Sequence, residues 1–214
     1  MKHVLPYVCL IMACQVPLVH AEFLDDLRLH YSVGQARGEV DSAAMNSRLQ
    51  QLGYQADAQV RDLSRRAKEW HLEYRFNPYL AVQAGYYDLG EVRTHISGVP
   101  ADIADFLQST NVIHPRSADG KQLGLQARYP LHQDWELQLG YHRYWQKSQY
   151  LSYTANQLAE LPRDSQQNGW SIGLGYQWSE DWQLSVQYRP VKVQGESINA
   201  WFIGVNYRFW QQKP

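Results

Sequence analysis

Cysteine is nearly missing from the 214-residue chain: Cys9 and Cys14 are the only two, and both fall within its first 21 residues. A disulfide framework or a thiolate metal site is thereby excluded from everything that follows them. Surplus charge is missing too, with 20 Lys and Arg against 21 Asp and Glu and a formal net charge of -1. Phosphate binding needs a clustered basic excess, so nucleic acid is not an expected partner. Past the N-terminal segment no apolar run approaches the ~20 residues of a membrane-spanning helix, and the mean hydropathy is -0.53. Crossing by strands stays open, because a strand needs an apolar residue only at every second position. Phenylalanine is scarce, at 5 beside 8 Trp and 15 Tyr. Trp and Tyr join an apolar body to a polar tip, which suits a membrane–water boundary.

Residues 1–21 have the form of a secretory signal: Lys2, an apolar stretch over residues 4–13, then Val19-His20-Ala21 ahead of a cut at Glu22. Within it, Ile11-Met12-Ala13-Cys14 is an imperfect lipoprotein box, which makes lipidation of Cys14 the alternative. The expected plan is a signal peptide over residues 1–21 and one barrel domain over 22–214, without repeats or linkers.

Alternation is the informative signal. Eight stretches place apolar residues at every second position: 27–33, 70–76, 80–86, 123–129, 135–141, 170–178, 182–188 and 201–209. Period two over about nine residues marks a strand long enough to cross a bilayer when tilted. The apolar phase holds no Asp, Glu, Lys or Arg within these stretches; Arg143 continues it only at the outer end of the fifth. The other phase collects Arg28, Glu73, Arg75, Arg128, Glu136, Arg189 and Arg208 with several Gln. Aromatics stand at both ends of the apolar stripe, as in Trp70/Phe76, Trp170/Trp178 and Trp201/Phe209, where two interfacial girdles would lie. A soluble lipocalin-like barrel with its apolar face inward predicts the same alternation. The aromatic ends, the glycines on the polar face and the asymmetry of the connections favour lipid outside. The expected fold is therefore all-β: an eight-stranded antiparallel up-and-down transmembrane β-barrel, with short helices in long extracellular loops.

Connections are tight at Asn77-Pro78, 130–134 and 179–181, and long at 37–67, 91–120, 147–168 and 190–199. Short turns inside and long loops outside put both termini in the periplasm of an outer-membrane protein. In the first long loop Asp41 or Ser42 can cap a helix whose Met45, Leu49 and Leu52 share a face and which Gly53 ends. In the next, Pro100 suits a first helical position before Ile103, Phe106 and Leu107.

The stretch from Tyr74-Arg75-Phe76-Asn77-Pro78-Tyr79 to Tyr87-Asp88-Leu89-Gly90 resembles the second hairpin of the OmpA-type transmembrane domain. Gln126-Ala127-Arg128-Tyr129-Pro130 and Ile203-Gly204-Val205-Asn206-Tyr207-Arg208-Phe209 are similar to its later strands. The resemblance implies a small eight-stranded outer-membrane barrel, here without the periplasmic peptidoglycan-binding domain of the best-known members. It further implies an assembly signal for the barrel-assembly machinery at Gly204, Tyr207 and Phe209, although residues 210–214 follow it. The family's charged gating cluster is not kept, since its positions correspond to Gln83, Gln126 and Ser185.

Three functional classes follow. The first is a non-enzymatic structural or surface-interaction protein (envelope integrity, adhesion or colonisation) that acts through its loops on a host or envelope partner, in a bed of lipid and lipopolysaccharide. The second is a small pore, although eight strands leave room only for side chains. The third is a lipid A-modifying enzyme, for which His95-Ile96-Ser97 with Glu91 is the only motif, placed in a loop bounded by Gly98 and Pro100. No catalytic residue, cofactor or metal is expected. His30, His71 and His142 point inward, where a shared metal site is conceivable and hydrogen bonding is the plainer reading. Arg28, Glu73, Arg75, Gln83, Gln126, Arg128, Glu136 and Arg208 are expected to form a structural polar network in the lumen.

Overall fold

The computed structural model describes residues 26–38, 42–61, 64–90, 93–98, 117–149, 151–154, 157–160, 163–193 and 196–209. In chain order the elements are β1 (Leu27–Gly38), α1 (Ser42–Gln51), β2 (Asp57–Arg61), β3 (Ser64–Asn77), β4 (Leu80–Asp88), β5 (Arg93–Ser97) and β6 (Ser117–Pro130). There follow β7 (Trp135–Gln149), β8 (Leu151–Thr154), β9 (Gln157–Glu160), β10 (Arg163–Gln177), β11 (Trp182–Val193) and β12 (Glu196–Arg208). Residues 1–21 and the segment around Pro100, Ile103, Phe106 and Leu107 lie outside the described residues, as does Glu91.

Eight strands close on themselves in the order β1-β12-β11-β10-β7-β6-β4-β3, and β1 completes the ring by pairing with β3. All these pairs are antiparallel, so the chain runs up and down around the wall. Full closure leaves no exposed edge in the wall. Each of the eight alternating stretches lies on one of these strands. At one end the strands join by tight turns. Tyr79 N donates to Asn77 Oδ1 (2.8 Å) in the first, and Trp182 N donates to Ser179 Oγ (3.2 Å) in the last.

The wall is turned inside out relative to a soluble barrel. Tyr31, Leu72, Leu125, Leu139, Ile172, Val186 and Ile203 are exposed on its outer surface. His30, Glu73, Gln126, Arg128, Gln138, Gln183 and Asn206, from the opposite phase, are buried within. Aromatics band the outer surface twice. Phe76, Tyr129, Trp135, Trp178 and Trp182 stand near the turns, while Tyr31, Trp70, Tyr141, Trp170 and Trp201 stand about one band higher. No helix among the described residues is long and apolar enough to cross a membrane, which bears only on helices.

The strands run further than the alternation shows, always at the end away from the tight turns. There the pattern inverts: Arg37, Arg66, Lys68, Lys147 and Lys192 are exposed outside. Inside lies a buried cluster of Ala36, Ala67, Tyr87, Leu89, Ala118, Tyr144, Val191, Val193, Ile198, Ala200 and Phe202. Tyr87 and Tyr144 meet edge to face, 5.1 Å between centroids. The expected long connection over 190–199 is overturned, because β11 continues to Val193 and β12 begins at Glu196. Val191, Val193 and Ile198 bury apolar side chains there, which keeps the chain in strand conformation.

A second, four-stranded sheet of order β2-β5-β8-β9 is built from three of the connections at the long-loop end. β2 and β5 are antiparallel, β5 and β8 parallel, β8 and β9 antiparallel. α1 packs on β2 with Met45 and Leu49 buried, and Gly53 follows it with φ 84°. Leu52, expected on the same face, is instead 39% exposed in the turn after the helix. The Asn46 side chain pins helix to strand: its Oδ1 accepts from Ala58 N (2.6 Å) and its Nδ2 donates to Ala58 O (3.2 Å). That amide covers the outer edge of β2, leaving β9 as the sheet's other edge. His95-Ile96-Ser97 lies on β5 of this sheet rather than in a loop, because β2 and β8 flank and pair with it.

Candidate functional site: the barrel lumen

Inward positions are fixed by strand alternation, so residues distant in sequence converge at similar heights in the lumen. Nearest the turns is an ionic layer. Arg75 Nε donates to Glu73 Oε1 (2.9 Å), and Arg128 pairs with both Glu73 and Glu136. Gln83 Nε2 donates to Glu73 Oε2 (2.9 Å) and to Gln126 Oε1 (2.8 Å), and Gln138 Nε2 donates to Glu136 (2.7 Å). Arg28 and Arg208 lie at the mouth of this layer, paired in register on β1 and β12.

A second layer sits further up. Arg189 is paired with Glu69, both fully buried, and Arg189 Nη1 also donates to Gln122 Oε1 (2.9 Å). Glutamine amides join the layers. Gln187 takes a hydrogen bond from Arg189 Nη2 (3.1 Å) and donates to Gln138 Oε1 (3.1 Å), which also accepts from Gln126 (3.4 Å). On the other side of the lumen, Arg75 and Asn206 both donate to Gln183 Oε1 (3.1 Å each), and Asn206 Oδ1 meets His30 Nδ1 (2.8 Å). The network thus runs from the turn-end mouth to the apolar cluster. Arg189 touches that cluster itself, its guanidinium 5.2 Å from the Phe202 ring centroid. Buried ions held this way are costly to break: removing one partner loses about 3–5 kcal/mol.

All eight lumen residues expected from the sequence line this interior. Six of them (Glu73, Arg75, Gln83, Gln126, Arg128 and Glu136) share one set of hydrogen bonds. The centre of the upper layer, Glu69, escapes the alternation because the apolar phase of β3 ends at Trp70. Carrying the inward phase of β3 two residues back from His71 would have found it. The same extension gives Gln122, whereas Gln138, Gln183, Gln187 and Asn206 already stand on the inward phase of the alternating stretches. Of the assembly-signal positions, Gly204 is buried, Tyr207 is half-buried and Phe209 is exposed. Gly204 is also where the wall makes room for the lumen. A Cβ there would stand 2.6 Å from Ser32 Cβ and 2.7 Å from the His30 ring.

Among the described residues one His–Ser contact has the reach of a nucleophile and base: His142 Nε2 lies 2.9 Å from Ser171 Oγ. Both are buried, His142 Nδ1 has no hydrogen-bond partner to orient it, and no carboxylate among the described residues completes the set. Ser97, the other serine weighed, is exposed and donates to Asp57 O (3.4 Å).

A closed barrel that shows apolar and aromatic side chains outward and satisfies ions with ions inside is a membrane-spanning β-barrel. The chain belongs to the outer membrane protein β-barrel domain family, whose profile matches residues 8–209. Among solved structures it is similar to Neisserial surface protein A, with TM-score 0.54 and 12% identity over 86% of this chain and 97% of that one. It is also similar to Ail, the attachment invasion locus protein of Yersinia pestis (TM-score 0.40, 15% identity, 86% and 99% covered). A third is the N-terminal barrel domain of OprF from Pseudomonas aeruginosa (TM-score 0.42, 9% identity, 86% and 98% covered). At such identities the likeness concerns the fold. No sequence among curated proteins matches.

Proposed function

We propose that this outer-membrane barrel is a non-enzymatic surface-interaction protein, anchored by its wall and acting through the sheet carried on its long connections. The observation that carries the reading is the second sheet. Three separate connections contribute strands to it, and its β2 edge is closed by Asn46 of α1. The barrel is already closed without it, so the ordering of these connections is not needed to complete the wall. Its β9 edge offers backbone groups for strand addition by an extended partner segment. Short turns at the other end support an orientation with both termini in the periplasm and this sheet outside the cell. The lumen is packed across by ion pairs and then by the apolar cluster, which argues against a conducting path.

The test is display of the chain on a non-adherent bacterial strain, with binding to host cells and matrix proteins measured beside a variant whose residues 42–61 are replaced by a short linker. The variant should remain heat-modifiable on a gel and lose binding. Equal binding by both forms, or none by either, would remove the reading. Steady single-channel openings in a planar bilayer, or an altered lipid A mass on overexpression, would point to the pore or the enzyme instead.

A further inference from the structure

We propose that His30, Glu69 and His71 form a lumen site for one divalent first-row metal ion of the zinc type. Three observations meet there. The first is strand geometry. Glu69 and His71 are two residues apart on β3 and share its inward face, while His30 pairs with His71 in register on β1. All three are buried, and each offers a ligand atom within 4.8 Å of the others'.

The second is the hydrogen-bond direction imposed on His30. Arg75 and Arg128 donate to Gln183 Oε1 (3.1 and 3.4 Å), so that oxygen also receives Asn206 Nδ2 (3.1 Å). Asn206 therefore turns its Oδ1 toward His30 Nδ1 (2.8 Å), and a carbonyl oxygen only accepts. The proton of neutral His30 is thus fixed on Nδ1, and Nε2 presents its lone pair to Glu69 Oε1 at 3.5 Å. Two acceptors facing each other in a dry interior repel unless a cation stands between them. Two ligand atoms each about 2.1 Å from a tetrahedral zinc ion stand about 3.4 Å apart, close to that separation. The Nδ1–H held by an amide oxygen is also the usual outer support of a metal-bound histidine.

The third is His71. Its ring is stacked on that of His30 at 4.2 Å between centroids, so it has to turn about its Cβ–Cγ bond to share an ion, and neither of its nitrogens has a hydrogen-bond partner although the side chain is fully buried. A buried imidazole left so costs free energy that a metal bond recovers. Glu69 keeps its other contacts: Arg189 pairs with it, reaching Oε1 at 3.2 Å, and Gln122 Nε2 donates to Oε2 (3.2 Å). Two imidazoles and one carboxylate suit zinc, cobalt or nickel better than calcium or magnesium, which prefer all-oxygen shells.

The test refolds the chain from urea into detergent micelles with Co2+ as the probe, beside an arm with EDTA, followed by desalting. Folding is scored by the gel shift on heating. One retained Co2+ per barrel with the visible bands of a four-coordinate ion is the expected result. His71→Ala and the milder His71→Gln should lower retention about tenfold or more, and Asn206→Leu should weaken it by ~10–100-fold. His142→Ala, whose ring contacts Ser171 instead, should leave it unchanged. A folded wild-type barrel holding no more Co2+ than the EDTA arm would overturn the site and leave a second proton on His30 as the link to Glu69. Equal retention by both His71 variants would overturn it as well. Should neither variant fold, the wild-type spectrum decides: bands of an aquo, six-coordinate ion count against the site.

Discussion

The barrel wall has two halves of opposite polarity, and single strands pass through both. On β11, Leu184 and Val186 face out while Gln183 and Gln187 face in. A few residues on, Lys192 faces out while Val191 and Val193 face in. The backbone ladder is continuous across the change, so the polarity of the side chains follows the surroundings and not the strand. Where the outer surface meets hydrocarbon, moving a leucine inward gains little, because lipid tails are as apolar as its side chain. That half is held together by buried hydrogen bonds and ions. Where the outer surface meets water, apolar burial again drives packing, and the Tyr87–Tyr144–Phe202 cluster forms.

Arg189 stands where the halves join, bonded to Glu69 on one side and stacked over Phe202 on the other. In metal-free protein kept in EDTA, Arg189→Leu leaves the fully buried Glu69 carboxyl without its arginine. We expect a loss of about 3–5 kcal/mol, the cost of breaking a buried pair, read as the urea midpoint of the refolded protein in micelles. An unchanged midpoint would mean that apolar packing alone holds the junction.

The outer face gives the next largest contrast. Leu139 is 48% exposed on the wall between the aromatic bands. Leu139→Arg should cost about 2–4 kcal/mol in refolding into lipid bilayers. Lys147→Leu, outward on the same strand but beyond the upper band, should change stability by less than about 0.5 kcal/mol. Similar effects at the two sites would dissolve the boundary.

That boundary explains how far the sequence could be read. In the lipid-facing half every outward residue is apolar, so alternation marks all eight strands and the inward Arg, Glu and Gln. Beyond it both phases mix, as in Arg65-Arg66-Ala67-Lys68 or Tyr144-Trp145-Gln146-Lys147. The alternation fades although the ladder continues. The strands therefore look shorter than they are, Glu69 goes unnoticed, and 190–199 looks like a loop. The second sheet leaves no local trace, because β5 pairs with β8 in parallel across more than 50 residues. The α1 helix was legible from its own pattern of Met45, Leu49 and Gly53.

Within the ionic layer a milder change separates the mouth of the lumen from the junction at Arg189. Glu136 is partly open at the turn end, and its partner Arg128 keeps Glu73 when it is removed. Glu136→Leu should lower stability by about 1–2 kcal/mol, less than Arg189→Leu, because no charge is left wholly unpaired. A larger loss than at Arg189 would place the stabilising centre of the lumen at its mouth.

The smallest effect belongs to the ion pair on the outer surface of the water-facing half. Lys68 Nζ lies 3.3 Å from Asp88 Oδ2, with side-chain exposures of 63% and 31%. Water screens such a pair and holding the lysine costs side-chain entropy, so pairs of this kind contribute about 0–1 kcal/mol. Lys68→Ala should move the urea midpoint by no more than the corresponding few tenths of a unit, and added salt should shrink even that. The same formal interaction, one carboxylate beside one cation, thus differs severalfold between Lys68–Asp88 and Arg189–Glu69. The medium separates them, together with the fork by which Arg189 reaches both Glu69 oxygens, so a salt-insensitive loss of several kcal/mol at Lys68 would show that this half of the wall is not in water.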